Sequence, residues 1–212
     1  KPSRPHFFID AHTGEILQSW DGMAFAEGTG PGGNERTGRY EYGPGGTYPA
    51  FEVTGSGSNC KLDSPNVVTY DMNHQRFGGT IHSFPCYENT ERQVNGSYSA
   101  LNDAHAFGQV IFDMFKDWYG QSPLTQKLKL RVHYDREFEN AFWDGQQMTF
   151  GDGKNTFHPL VGLGVVAHEV SHGFTQQNSN LRYENQSGGL NESFSDIAAA
   201  AASYYLTGTF SW

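Results

Sequence analysis

The chain has 212 residues, with 14 Lys and Arg against 23 Asp and Glu, and its net charge of −9 disfavours nucleic acid and anionic membrane surfaces as partners. No run approaches the roughly eighteen consecutive apolar residues of a membrane span, and the length suffices for one large domain or two small lobes with a real core. The opening Lys-Pro-Ser-Arg-Pro leads into no apolar secretory core, so the chain is expected to start partway through a longer precursor.

Phe7 to Leu17 reads as a hairpin: an apolar strand, an Asp/Thr/Gly turn and a second strand. From Gly28 to Gly57 glycine and proline are dense, with Tyr40, Tyr42, Tyr48 and Phe51 interleaved. This predicts short strands and turns of an antiparallel sheet, with the aromatics as packing rather than a stacking platform for bases. Cys60 and Cys86 are the only cysteines. Such a pair in a chain of secreted character reads as a disulfide in an oxidising compartment, with two reduced buried thiols as the alternative.

Val67–Tyr70 and Leu128–Tyr134 have strand composition, the second with clear alternation. Between them Ala104, Phe107, Ile111, Phe115 and Trp118 recur at helical spacing, and Gly120 closes the run. His105 on that helix reads as structural.

The segment with most chemical content is His168-Glu169-Val170-Ser171-His172. Histidines four apart on a helix share a face, about 6 Å apart along the axis, so both imidazoles reach one small cation. Catalytic Zn²⁺ takes three protein ligands and keeps a fourth position open, and two His plus one carboxylate is such a set. Glu192, separated from His172 by nineteen residues, opens a further helical run to Leu206 and supplies the carboxylate. Asp196 lies one turn on, placed to accept the other N–H of a ligating imidazole. Glu169 sits where it can take a proton from an activated water. The bland alternative is a surface helix with two solvated histidines and a paired glutamate. The apolar approach Leu160-Val161-Gly162-Leu163-Gly164-Val165-Val166-Ala167 speaks against it, because buried His and Glu side chains need partners.

From Ala26 to Trp212 the chain resembles the N-terminal portion of a thermolysin-family metalloendopeptidase, closest to the pseudolysin and vibriolysin branch. The motifs are Gly-Pro-Gly-Gly-Asn at 30–34, Tyr-Ser-Ala-Leu-Asn-Asp-Ala-His at 98–105 and Asn-Ala-Phe-Trp-Asp-Gly at 140–145. They continue with Phe-Gly-Asp-Gly at 150–153, His-Glu-Val-Ser-His-Gly-Phe-Thr at 168–175 and Ser-Gly-Gly-Leu-Asn-Glu at 187–192.

The resemblance implies an α+β fold: a largely antiparallel β lobe with long helices carrying the zinc motif, residues 26–212, and no C-terminal helical lobe in this chain. Residues 1–25 resemble the end of an inhibitory pro-segment, cut near Phe25 and Ala26. The resemblance further implies a Cys60–Cys86 bridge, a Tyr183 hydroxyl on the oxyanion, and an edge strand that holds substrate through Asn140, Ala141 and the Trp143 amide. It implies one zinc on His168, His172 and Glu192, and an apolar pocket near Val165 suited to a bulky hydrophobic residue after the cut. Calcium is in doubt, because the family's acidic ligand positions fall on Gly164, Ala200 and Ser203.

The expected protein is a secreted bacterial monomer acting on peptides, with its own pro-segment as a partner. The family's second lobe supplies a histidine and an arginine to the site, so this chain alone is expected to have little activity. A non-catalytic zinc module, or a peptide-binding or adhesion domain, is the alternative.

Overall fold

The computed structural model describes residues 5–21, 25–56 and 58–209. Trp212, the end of the expected catalytic segment, lies outside the described residues. The chain opens with strands β1 (Pro5–Ile9) and β2 (Ile16–Asp21), an antiparallel hairpin. Its turn forms because the Asp10 carboxylate accepts the amides of His12 and Thr13, at 2.7 and 2.9 Å.

Strand β3 (Phe25–Gly28) follows, then β4 (Gly30–Asn34), β5 (Gly38–Tyr42), β6 (Phe51–Ser56) and β7 (Asn59–Lys61). Next come β8 (Val67–Asp71), β9 (Thr80–Ile81) and β10 (Ser83–Pro85). The pairings β10-β7-β6-β3 make one antiparallel sheet, and β4 pairs with β5 as a separate ribbon. Phe25 and Ala26, the expected maturation cut, are the first residues of β3 and pair with Thr54 and Val53 of β6.

Cys60 and Cys86 are bridged, joining β7 to the residue after β10. With 26 residues of separation, the chain-entropy model gives roughly 3–4 kcal/mol of stabilisation. A Cys60→Ala/Cys86→Ala variant is therefore expected to unfold at lower urea with a loss of about that size. An unchanged midpoint would show that the bridge contributes nothing to equilibrium stability.

Helix α1 (Ala100–Tyr119) starts where the Ser99 hydroxyl accepts the Asn102 amide at 3.2 Å, and ends at Gly120 with φ 70°. Its buried face, Ala104, Phe107, Ile111, Met114 and Phe115, lies in the main core with Val67, Leu128 and Leu130. Strands β11 (Leu128–Val132), β12 (Ala141–Trp143) and β13 (Met148–Phe150) complete a five-stranded sheet in the order β12-β13-β11-β8-β9.

The β lobe is largely antiparallel, but this sheet is mixed: β11 runs parallel to both β8 and β13. The connection from β8 to β11 passes through α1, and a helix-borne crossover returns the chain in the same direction. Strand β12 lies at the sheet edge, with only β13 beside it. His105 is fully buried; its ring nitrogens meet the Thr69 hydroxyl at 2.9 Å and the Glu52 carbonyl at 2.8 Å. Burial pulls its pKa down to about 4, so it is a neutral structural side chain.

Helices α2 (Leu163–Asn178) and α3 (Asn185–Thr207) pack on each other beside the edge strand. Helix α3 begins seven residues before Glu192, not at it. Gly188 and Gly189 lower local helix propensity by about 1 kcal/mol each, but Gly188 is buried against the backbone of Tyr183, and tertiary packing carries the turn.

Candidate metal centre and peptide cleft

Helical spacing places His168 and His172 on one face of α2, and α3 brings Glu192 across from them. The two Nε2 atoms lie 2.9 Å apart. Glu192 Oε2 is 3.2 Å from His168 Nε2, and Oε1 is 3.5 Å from His172 Nε2. A tetrahedral ion with bonds of about 2.0–2.1 Å separates its donors by about 3.3 Å, and the observed distances bracket that value.

The far sides of the rings fix the tautomers. His168 Nδ1 donates to Asp196 Oδ1 at 3.0 Å, and His172 Nδ1 donates to Asn191 Oδ1 at 2.7 Å, with Ser195 Oγ at 3.3 Å. With both Nδ1 atoms carrying the proton, both Nε2 lone pairs face each other and a carboxylate, an arrangement that a shared cation satisfies. Among the described residues this is the one group of three or more His, Cys, Asp or Glu donors within reach of a single ion. Asn191 lies in the 187–192 motif without an assigned role and Ser195 has no signal in the sequence; the crossing of α3 over α2 brings both to the His172 ring.

Glu169, next to the first histidine, is buried. Burial pushes its pKa up to about 7, while His172 and the Trp143 amide act in the opposite direction and Glu192 adds to the rise. Tyr183 is exposed, with its ring 5.8 Å from that of His172 in an edge contact.

These groups line one cleft of about 780 Å³, walled by Asn140, Ala141 and Trp143 on the edge strand, by His168, Glu169 and His172 on α2, and by Tyr183 and Glu192. Phe142 turns away to pack edge-on against Tyr134 and Phe138, at 5.6 and 5.9 Å. Val165 does not line this cleft. It is half-buried against the core one turn before His168, whereas the cleft runs over the other end of the motif, toward Tyr183.

Gly164 and Ser203 line a separate cavity of about 400 Å³ between the start of α2 and the end of α3. With Ala200 they present one hydroxyl and no carboxylate.

The profile described as thermolysin metallopeptidase, catalytic domain, matches residues 35–176, and the one described as its alpha-helical domain matches 179–211. The helical lobe is thus partly covered, not lacking as the sequence reading had it, and Glu192 and Asp196 come from its opening helix.

The neutral protease of Vibrio proteolyticus is 55% identical over all of this chain, which covers 35% of that protein. The hemagglutinin/proteinase of Vibrio cholerae is 54% identical over all of the chain and 36% of its own length, and the zinc metalloproteinase of Legionella pneumophila 42% identical over all of the chain and 44% of its own. The chain therefore spans about a third of the length of the Vibrio relatives.

Among solved structures, the precursor of protealysin from Serratia proteamaculans matches at TM-score 0.58 and 29% identity, over 68% of this chain and 46% of that one. The donor triad spans the boundary between the two matched profiles, and both profiles and relatives agree on one assignment: this chain belongs to the thermolysin metallopeptidase family.

Proposed function

We propose that this chain forms the metal- and base-bearing part of a secreted zinc endopeptidase that hydrolyses peptide bonds with an activated water. The observation that carries the reading is a single cleft holding three metal donors, a buried carboxylate beside them and an edge strand along one wall. His168, His172 and Glu192 would hold the ion. Bound zinc supplies a Lewis acid for the scissile carbonyl and lowers the pKa of water.

The remaining tasks fall to the protein. Edge strand β12 offers its unpaired backbone side to an extended peptide, with Asn140 adding a side-chain contact and Ala141 a carbonyl. Glu169 takes the water's proton and returns it to the leaving amine. Tyr183 donates its hydroxyl to the developing oxyanion. A bulky hydrophobic residue after the cut remains part of the proposal on the family resemblance.

The hairpin β1–β2 is read as the end of a pro-segment, with release near Phe25–Ala26. Secretion rests on the disulfide and the kinds of relative; no described helix is long and apolar enough to cross a membrane. Calcium binding around 164–203 is proposed to be lost or weak, for want of charged oxygen donors.

One experiment on the full-length gene product tests the metal part of this reading. Purified protein should contain one zinc per chain, and a chelator should abolish cleavage of a hydrophobic peptide, with recovery on adding Zn²⁺. Its intact mass reports the position of the maturation cut. Cleavage that survives complete zinc removal overturns the mechanism, and a calcium ion ligated between 164 and 203 overturns the calcium proposal.

A further inference from the structure

On α2, Glu169, Gly173 and Gln176 follow at intervals of four and three residues and so share a face adjacent to that of the two histidines. Gly173 and Gln176 both meet Trp143 of the edge strand. Its indole ring lies against Gly173 so closely that a Cβ there would come within 3.1 and 3.2 Å of ring atoms. The indole N–H donates to Gln176 Oε1 at 2.6 Å. An indole nitrogen is a donor only, so the glutamine presents its carbonyl oxygen to it.

We infer that Gln176 is a positioning residue: by anchoring the Trp143 indole it fixes the edge strand that receives the peptide against the helix that carries Glu169 and the two histidines. The inference rests on the endopeptidase reading given above. Trp143, Glu169 and Gln176 line the same cleft, and a loose Trp143 leaves the edge-strand wall without its tie to α2. The packing at Gly173 seats the ring, and the Gln176 acceptor fixes the direction of its N–H.

The test compares Gln176→Leu, which keeps size but removes the acceptor, with Gln176→Glu, which keeps an acceptor, in the full-length zinc-loaded protein. Leucine is expected to lower kcat on the order of tenfold, since small misplacements of catalytic groups reach a hundredfold. KM should change by less than kcat, and zinc content should stay at the wild-type level. Glutamate should restore most of kcat. In ¹⁵N-indole NMR spectra the Trp143 N–H resonance should move upfield in the leucine variant and return with glutamate.

A leucine variant with wild-type kcat overturns the inference, as does an unmoved indole resonance. A loss of kcat that glutamate fails to rescue also overturns it, pointing to a packing role. A wild type that binds zinc but cleaves no peptide overturns the endopeptidase reading first, and this inference with it.

Discussion

Glu169→Gln in the full-length protein is expected to cut kcat by on the order of 10²–10⁴-fold and to leave zinc content unchanged. Glutamine keeps the shape of the side chain, and the edge strand keeps its tie to α2 through the Trp143 indole and Gln176. What it lacks is a basic oxygen that can take and return a proton. The metal donors, His168, His172 and Glu192, are untouched by the change, so metal analysis serves as the internal control. This variant also separates the alternatives. A zinc module that only ties two helices together, or an adhesion domain using the cleft as a groove, makes no use of Glu169 and has no turnover to lose. Turnover within a few fold of wild type in the glutamine variant would remove Glu169 from the chemistry.

The second large effect concerns stability. His133 is buried between two acids: Nδ1 meets Asp152 Oδ1 at 2.7 Å and Nε2 meets Glu91 Oε2 at 3.3 Å, with side-chain exposures of 6, 4 and 7% for His133, Asp152 and Glu91. The second oxygen of Asp152 faces His74 Nδ1 at 3.1 Å, without a well-directed hydrogen bond. Glu91 also accepts the Leu101 amide at the start of α1, so the cluster ties the first turn of that helix to the ends of β11 and β13. Burial opposes a charge on His133, but the hydrogen bonds to Asp152 and Glu91 outweigh it and push its pKa up to about 10.

Since the folded value lies above the unfolded one, near 6.5, the stabilisation is fully present below about pH 6.5 and is lost as pH rises through about 10. His133→Ala strands two buried carboxylates and is expected to cost roughly 3–5 kcal/mol. Urea unfolding in a Glu169→Gln background, which removes self-digestion, gives the measurement. The parent should weaken steadily from pH 7 to 10. His133→Asn, which offers a neutral donor to Asp152, should flatten that slope. A parent whose midpoint is constant across this range would show that His133 is neutral in the native state.

These residues also mark how far the sequence could be read. His133, Asp152 and Glu91 are isolated letters in the chain, and nothing in their spacing brings them together; β11, the loop after β13 and the approach to α1 do. The direction of β11 is similar. Its alternating pattern identifies a strand, but periodicity is blind to parallel against antiparallel pairing, and the crossover through α1 settles that.

By itself the sequence determined what local periodicity and pairing chemistry can encode: the span of α1, the strands at 67 and 128, the hairpin at the start, a single possible disulfide, and two histidines four apart beside a glutamate. Those features survive because each depends on neighbours within a turn or a strand, or on there being just two cysteines. Tertiary structure alone decided that Asn191 locks the His172 imidazole, and that Asp196, placed one turn beyond Glu192 by the sequence, locks His168. It also decided that Gln176, thirty-three residues from Trp143, holds its ring. Such contacts join segments whose separation along the chain carries no period, so they appear only once helix packing has brought α2, α3 and the edge strand to a common cleft.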